Sequence, residues 1–151
     1  MPAGAGADWR ETLRRLLPGV WLGLLVGVAL IATPAPFATL APADAGRVVR
    51  CIFAIEAPTS LALGVFLLLL ERHAGLQRHE RTGTSQFTAE MMLVLGALFC
   101  TVLGYYGLLP LMEQARAGAG SIGFGRLHLA STALFGLKGL LVLGLAWKAA
   151  R

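Results

Sequence analysis

The stretch VVRCIFAIEAPTSLALGVFLLLL, residues Val48 to Leu70, decides the fold. It is apolar and long enough for one helical passage through a bilayer, which needs about 20 mostly apolar residues. One carboxylate, Glu56, lies well inside this stretch. A charge at that depth costs roughly 3 kcal/mol or more unless it has a partner, a wet cavity or a proton. Lys138 is the only other strongly charged residue deep inside an apolar run, so the sequence predicts a buried ion pair between Glu56 and Lys138.

The composition of the whole chain supports the same class of protein. Of the 151 residues, 56% are hydrophobic and 14% are charged, whereas a soluble domain carries about 25% charged residues. The net charge of +5 comes from Lys and Arg at the ends of apolar runs. Because these residues form no continuous patch, we expect no nucleic-acid partner. The composition therefore predicts an all-α membrane protein whose main partner is the lipid bilayer.

Four apolar runs predict a single integral membrane domain over residues 1–151, folded as a bundle of four transmembrane helices. The predicted spans cover about residues 17–33, 46–70, 87–112 and 124–147, and residues 71–86 form a polar loop. The first span carries a stripe of glycines spaced by four, Gly19, Gly23 and Gly27. Small residues on one stripe let helices approach closely in lipid. We expect this stripe to pack within the chain, in preference to forming a seam between two copies.

Polar residues on the last three spans predict a small vestibule above the ion pair. At 1.5 Å per residue, Glu56 lies about 15 Å from the start of its helix, and Lys138 lies about 21 Å from the start of the fourth. Because helical side chains lean toward the N-terminus, Lys138 would lean back to the level of Glu56. The predicted vestibule residues are Arg50, Thr59, Ser60, Tyr105, His128 and Ser131.

This polar centre is compatible with three functions. In the first, the vestibule binds or conducts an ion or a small anionic ligand, since ionisable residues inside a membrane are functional candidates by default. In the second, the pair only fixes helix register, and the protein is a structural or accessory subunit of a larger membrane complex. In the third, the protein binds haem or a metal, with His128 as an axial ligand.

The residue pattern favours no metal, no cofactor and no enzymatic activity. His73 and His79 lie with Glu80 in the arginine-rich polar loop, where histidines are more often solvated than ligating. His128 is the only histidine in a predicted span, which excludes two-histidine haem ligation within one chain. The sequence contains no nucleophile with a matched base in an aqueous setting and no phosphate-binding loop, so we expect no catalysis.

Four stretches of the chain carry a resemblance to a known family. They are LPGVWLGLLVGVALIATPAPFATL (17–40), AGRVVRCIFAIEAPTSLALG (45–64), GYYGLLPLM (104–112) and FGRLHLASTALFGLKGLLVL (124–143). The local matches are Trp21 with Gly23, the run Ala45-Gly46-Arg47, and Leu127 with His128. From about Leu16 to Trp147 the chain resembles the bacterial transmembrane protein 205-like family, also described as domain of unknown function 4149.

The resemblance implies a four-helix bundle in a bacterial membrane and assigns no biochemical activity. The family is distantly similar to four-helix copper-resistance membrane proteins and to haem-containing protoporphyrinogen oxidases, which carry histidines in their first helices. This chain has no histidine before His73. Basic residues are more numerous at both termini and in the polar loop, which predicts that all three face the cytoplasm. We therefore expect a multi-pass protein of the inner membrane, with a membrane-protein partner or a second copy as a further partner.

Overall fold

The computed structural model describes residues 5–151, with side chains from Trp9 onward, so the first four residues of the predicted domain lie outside it. The described residues form helices and no strand. In chain order the helices are α1 (Ala5–Gly27), α2 (Pro34–Thr39), α3 (Pro42–Thr82), α4 (Ala89–Thr101), α5 (Leu108–Arg116) and α6 (Phe124–Ala149). Two π-helical segments continue α1 and α4, namely π1 (Val28–Ala32) and π2 (Val102–Gly107).

Among the described residues, four continuous helical units are long and apolar enough to cross a membrane. They are Trp9–Thr39, Pro42–Thr82, Ala89–Arg116 and Phe124–Ala149, referred to below as the first to fourth spans. The first span includes α1, π1 and α2, and the third includes α4, π2 and α5. The predicted all-α class with four spans is confirmed, and these helices indicate a multi-pass membrane protein.

The polar loop is shorter than the predicted residues 71–86, because α3 continues to Thr82. The 41 residues of α3 extend about 61 Å at 1.5 Å per residue, about twice the hydrocarbon thickness of a bilayer. The charged end of this helix therefore projects into water. Gly83 ends it with a φ of 66°, a left-handed conformation that glycine adopts at little cost. The chain then turns back over Gly75, where an added Cβ would lie 2.6 Å from the Gln86 carbonyl oxygen.

The spans form a square in which α3 and α6 both pack against α1 and α4. The two diagonal pairs, α1 with α4 and α3 with α6, have no Cα atoms within 8 Å of each other. Only side chains can therefore connect α3 to α6 across the centre of the bundle.

The half of the bundle nearer the described N-terminal end is tightly packed, and we call it the closed half. Its core consists of Trp21, Leu25, Leu67, Val94, Ala97, Val142 and Leu145, each at most 2% exposed. Gly64 permits this packing, since a Cβ there would lie 2.5 Å from Leu98 Cδ2 and 3.0 Å from Trp21 Cη2. Close approach of α3 to the first and third spans therefore depends on the missing side chain.

The spans separate toward the other end, which we call the open half. It comprises π1, α2, the start of α3, π2, α5 and the start of α6. The π1 turn closes through the Thr33 N–H, which donates to the Val28 carbonyl over 2.9 Å. Neither π1 nor α2 has a Cα atom within 8 Å of α6, although α1 packs against α6 in the closed half. The bundle is therefore open on one side, between the first and fourth spans.

Candidate functional site

The open half surrounds a cavity of about 920 Å³, within the roughly 300–1,000 Å³ typical of small-molecule sites. All four spans line it, including both π-helical segments. Single π turns inside α-helices occur frequently at functional sites. Most of the wall is apolar, and the charged lining residues are Arg50, Glu56, Glu113, Arg116 and Lys138.

The floor of the cavity is a buried ion pair between the second and fourth spans. Lys138 Nζ lies 2.7 Å from Glu56 Oε1, and each side chain is only 3% exposed. Charges taken out of water need close, hydrogen-bonded partners to offset their desolvation. The structure thus places the two residues that the sequence paired in direct contact.

A tryptophan and a serine hold the carboxylate of Glu56 from behind. The Ser60 hydroxyl donates to Glu56 Oε1, and Trp21 Nε1 donates to Ser60 Oγ over 2.9 Å. Trp21 and Ser60 have no solvent exposure. The network therefore connects the first, second and fourth spans, and it lies at the boundary between the closed and open halves.

The sequence analysis did not assign Trp21 to this polar centre. A buried tryptophan usually finds an acceptor for its indole N–H, and that requirement is the signal that could have linked Trp21 to a polar residue of another span. Which residue accepts the proton depends on the packing of the first span against the second, which sequence spacing does not specify.

The ion pair reaches across the diagonal of the bundle, because α3 and α6 do not pack directly. An aromatic contact accompanies it, with the rings of Phe53 and Phe135 edge to face and their centroids 5.5 Å apart. Lys138 Nζ also lies 4.7 Å from the centre of the Phe135 ring, within range of a cation–π interaction. These side chains fill the space between the two diagonal helices, α3 and α6.

The mouth of the cavity is more basic than the sequence analysis indicated. Arg116 lies over the ring of Phe124, with its guanidinium carbon 4.6 Å from the ring centre. The His128 ring stacks on the same Phe124 ring, with the two ring centres 5.8 Å apart. Arg50 and Glu113 complete the charged rim. Arg116 and Glu113 were missed because they lie at the end of the third span, where charges are ordinary flanking residues.

The structure brings four of the six predicted vestibule residues to the cavity wall. These four are Arg50, Tyr105, His128 and Ser131. Ser60 lies behind Glu56 instead, and Thr59 is exposed, with its hydroxyl donating to the Ile55 carbonyl of its own helix. At about 100° per residue, Ser60 lies about 40° around the helix from Glu56, toward the bundle centre, whereas Thr59 lies about 60° from Glu56 in the opposite sense, away from the bundle centre. Sharing a broad helix face was therefore too weak a criterion for Thr59.

The sequence profile of a domain of unknown function (DUF4149) matches residues 16–121, which is more than half of the chain. The chain belongs to this family. The matched segment of this DUF4149 protein contains Trp21, Glu56 and Ser60 but ends before Lys138. No curated protein and no solved structure matches the chain. The link from DUF4149 to transmembrane protein 205-like proteins stays a prediction.

The histidines of this DUF4149 protein are distributed over the molecule. No group of three or more His, Cys, Asp or Glu side chains suited to a metal ion occurs among the described residues. His73 lies 2.8 Å from Arg10 Nη1, and His79 Nδ1 lies 2.6 Å from the Thr84 carbonyl oxygen. Both side chains thus make contacts at the end of the bundle opposite the cavity, far along α3 from Glu56.

The glycine stripe of this DUF4149 protein does not pack inside the chain as predicted. A Cβ added at Gly19, Gly23 or Gly27 would meet no atom within 4 Å. The first span instead directs Trp21 and Leu25 into the core. Because these bulky residues occupy the buried face of α1, the glycines fall on the outer surface of the bundle.

A second charged network closes the end of the bundle opposite the cavity. Arg14 Nη1 lies 3.1 Å from Glu71 Oε2, and the Glu71 side chain is 4% exposed. Glu11 pairs with Arg14 over 3.0 Å, and Lys148 pairs with Glu90 over 3.3 Å. These contacts were not predicted from the sequence. The signal was available, because these residues all lie near the ends of the predicted spans that alternating helices bring to one side of the membrane.

Proposed function

We propose that this protein binds a small molecule with an anionic group in the cavity of the open half, with no catalysis and no resident cofactor. The observation that carries the proposal is a cavity of about 920 Å³ with a charged floor inside an otherwise apolar membrane bundle. Ligand sites are typically apolar pockets with a few well-placed polar groups. This cavity has that composition, and its polar groups lie at the mouth and the floor.

The balance of charge supports an anionic group in the ligand. Lys138 and Glu56 offset each other at the floor. At the mouth, two arginines, Arg50 and Arg116, stand against one carboxylate, Glu113. Arg50 has no ion-pair partner in the part of the chain that the structure describes. Arginine is well suited to bind carboxylate and phosphate groups through two parallel hydrogen bonds.

The packing of the closed half favours a binding site over an open conduit. Below the ion pair, the core contains Trp21, Leu67 and Val142, which have no solvent exposure. The ion pair of Arg14 and Glu71 covers the end beyond that core. A ligand in the cavity would therefore meet a filled bundle on its way to the opposite side.

We further propose that the protein lies in a bacterial inner membrane with the cavity facing the periplasm. Both described ends of the chain and the turn after α3 lie at the end opposite the cavity. Basic residues concentrate in those segments, and cytoplasmic flanks carry the excess of Lys and Arg. The alternating helices then direct the cavity outward.

The proposed function is tested by binding of octanoate, a water-soluble chain with one carboxylate, to the purified protein in detergent. Octylamine, a chain of equal length with the opposite charge, is the matched ligand control. We expect saturable binding of one octanoate by titration calorimetry, and binding of octylamine about tenfold weaker or less. Replacing Arg50 and Arg116 together by Gln should weaken octanoate about tenfold or more, because a hydrogen bond to a charged group contributes about 1.5–3 kcal/mol.

A matched variant controls for the loss of two positive charges. Arg47 and Arg126 are also exposed arginines near the starts of α3 and α6, but they do not line the cavity. Replacing both by Gln should leave octanoate binding unchanged. Equal binding of octanoate and octylamine, or equal losses in the two double variants, would contradict the proposed site.

A second candidate function is that of an accessory subunit in a larger membrane complex. The observation that favours it is the glycine stripe of the first span, Gly19, Gly23 and Gly27, where an added Cβ would meet no described atom within 4 Å. A stripe of this kind allows another helix to approach closely in lipid. The glycine substitutions described in the Discussion distinguish this function from ligand binding.

A further inference from the structure

The cavity has a lateral opening toward the bilayer in addition to its mouth. Around the open half, α2 packs against α3, α3 approaches π2, and both π2 and α5 pack against α6. Between the first and fourth spans there is no backbone contact in this half of the described structure, because neither π1 nor α2 comes within 8 Å of α6, measured between Cα atoms, whereas π2 still approaches α3 on the side between the second and third spans. Cavity-lining residues occur on both edges of this gap, with Ala29 and Thr33 on the first span and Thr132 on the fourth.

The outer edges of this gap are strongly apolar. Leu30 and Ile31 on the first span are 72% and 70% exposed, and Leu129 on the fourth span is 70% exposed. In a bilayer such side chains contact acyl chains, because the hydrocarbon region offers no water. A molecule passing through the gap therefore comes from the lipid phase.

The interior of the cavity matches an amphiphile. Four phenylalanine rings line its walls, those of Phe37, Phe53, Phe124 and Phe135. Arg50 and Arg116, which have no ion-pair partner among the described residues, lie at the mouth, near the level where lipid headgroups meet water. Basic side chains near a membrane surface attract anionic lipids by about 1 kcal/mol each.

One hydroxyl at the gap also lacks a partner. Thr33 Oγ1 is the buried side-chain oxygen or nitrogen without a hydrogen bond among the described residues, and Thr33 lines the cavity. A buried polar atom left unpaired carries a desolvation cost that a ligand hydrogen bond would relieve. The ester or glycerol oxygens of a lipid supply such a bond between the acyl chain and the headgroup.

We propose that the occupant of the cavity is an anionic lipid from the surrounding leaflet. It enters between the first and fourth spans, lays one acyl chain against the aromatic walls and leaves its headgroup at Arg50 and Arg116. This inference rests on the proposed function, which it deepens by naming the ligand class and the route of entry.

The test uses the whole protein in nanodiscs of phosphatidylcholine with a small fraction of phosphatidylglycerol that carries a diazirine at the end of one acyl chain. After irradiation, mass spectrometry locates the crosslinked residues. We expect labels on cavity residues such as Cys100 and Phe53, and at least about tenfold fewer of them when phosphatidylcholine carries the diazirine, because it lacks the net negative charge read by the two arginines. Ala29→Trp, which places an indole in the gap, should abolish the cavity labels.

Leu30→Trp is the matched control, since Leu30 is adjacent in sequence but faces away from the cavity; it should leave the cavity labels unchanged. Labels confined to outward residues such as Ile31 and Leu129, or cavity labels that do not depend on headgroup charge, would overturn the lipid proposal. Octanoate binding, measured separately in detergent, tests the proposed function independently of the lipid proposal. Octanoate binding without cavity labelling would mean a water-soluble ligand, and the absence of both would remove both proposals.

Discussion

The two halves of the bundle contain the same four helices but use them in opposite ways. In the closed half, large apolar side chains such as Trp21, Leu67 and Leu145 meet at the centre and leave at most 1% of their surface exposed. In the open half, the spans separate around a cavity of about 920 Å³. The boundary between them is the network of Trp21, Ser60, Glu56 and Lys138.

This difference shows how a small membrane protein can keep a rigid base while leaving room for a ligand. The closed half supplies packing contacts, which drive helix association where lipid removes the hydrophobic advantage. The open half connects its diagonal helices through Lys138 and Glu56, since their backbones do not meet. If the two halves differ in stability as they do in packing, substitutions in the closed half should lower the free energy of unfolding more than substitutions in the open half.

The largest effect is expected in the closed half, for Trp21→Ala. Truncating a buried tryptophan costs about 3–5 kcal/mol in packing, and loss of its bond to Ser60 adds about 1 kcal/mol. Phe53→Ala, on the half-buried cavity wall, should cost no more than about half as much. Denaturant titration followed by circular dichroism measures both free energies of unfolding. Equal costs would mean that the two halves do not differ in packing.

The second effect concerns the boundary itself. Lys138→Met leaves the Glu56 carboxylate buried without its cation, which should lower the free energy of unfolding by about 3 kcal/mol or more. The double variant Glu56→Gln with Lys138→Met removes both charges and should regain most of that loss, because well-packed neutral groups can replace a buried pair. A double-mutant cycle gives the coupling energy. Single and double variants all as stable as the original protein would refute a stabilising pair.

The smallest effects compare a buried glycine of α3, Gly64, with an outward-facing glycine of α1, Gly23. Gly64→Ala forces a Cβ to within 2.5 Å of Leu98, and such overpacking costs about 1–3 kcal/mol. Gly23→Ala meets nothing within 4 Å, so we expect no packing loss and a gain of up to about 1 kcal/mol from helix propensity. Thermal unfolding in detergent measures both changes. A large loss at Gly23 would show that the outer surface of the first span is packed after all.

Gly23→Leu extends the comparison to the accessory-subunit function. The added side chain points away from the chain's own core, so folding and octanoate binding should both be preserved. If the protein serves as a subunit, the larger side chain should abolish co-purification of its partner from membranes. Retained assembly would exclude the glycine stripe as an interface.

Helix number and class were predictable because the bilayer imposes them. A spanning segment must satisfy its own backbone hydrogen bonds, which an α-helix does. It must also be apolar over about 20 residues, which hydropathy along the chain detects. The extent of α3 was less predictable. Beyond Leu70 the sequence becomes polar, which marks the membrane boundary, but the helix itself continues in water to Thr82.

The candidate site was predictable only where a strong energetic demand singled out a residue. Glu56 and Lys138 could be named as partners because few charged groups lie deep in apolar runs. The position of Thr59 depended on a rotation of about 60° around α3, and the direction of the glycine stripe depended on which face Trp21 and Leu25 occupied. Neither the rotation of α3 nor the inward face of α1 changes the free energy of an isolated helix as much as a buried charge does.

The sequence by itself determined that this chain is a four-span membrane protein with two opposite charges in its interior. Each of those conclusions follows from the cost of placing polar groups in hydrocarbon, which acts on every segment separately. Only the tertiary structure decided that α3 and α6 stand diagonally, that Trp21 supports Glu56 through Ser60, and that the first and fourth spans part in the open half. These features depend on which helix faces meet, and that is settled by the fit of many side chains together.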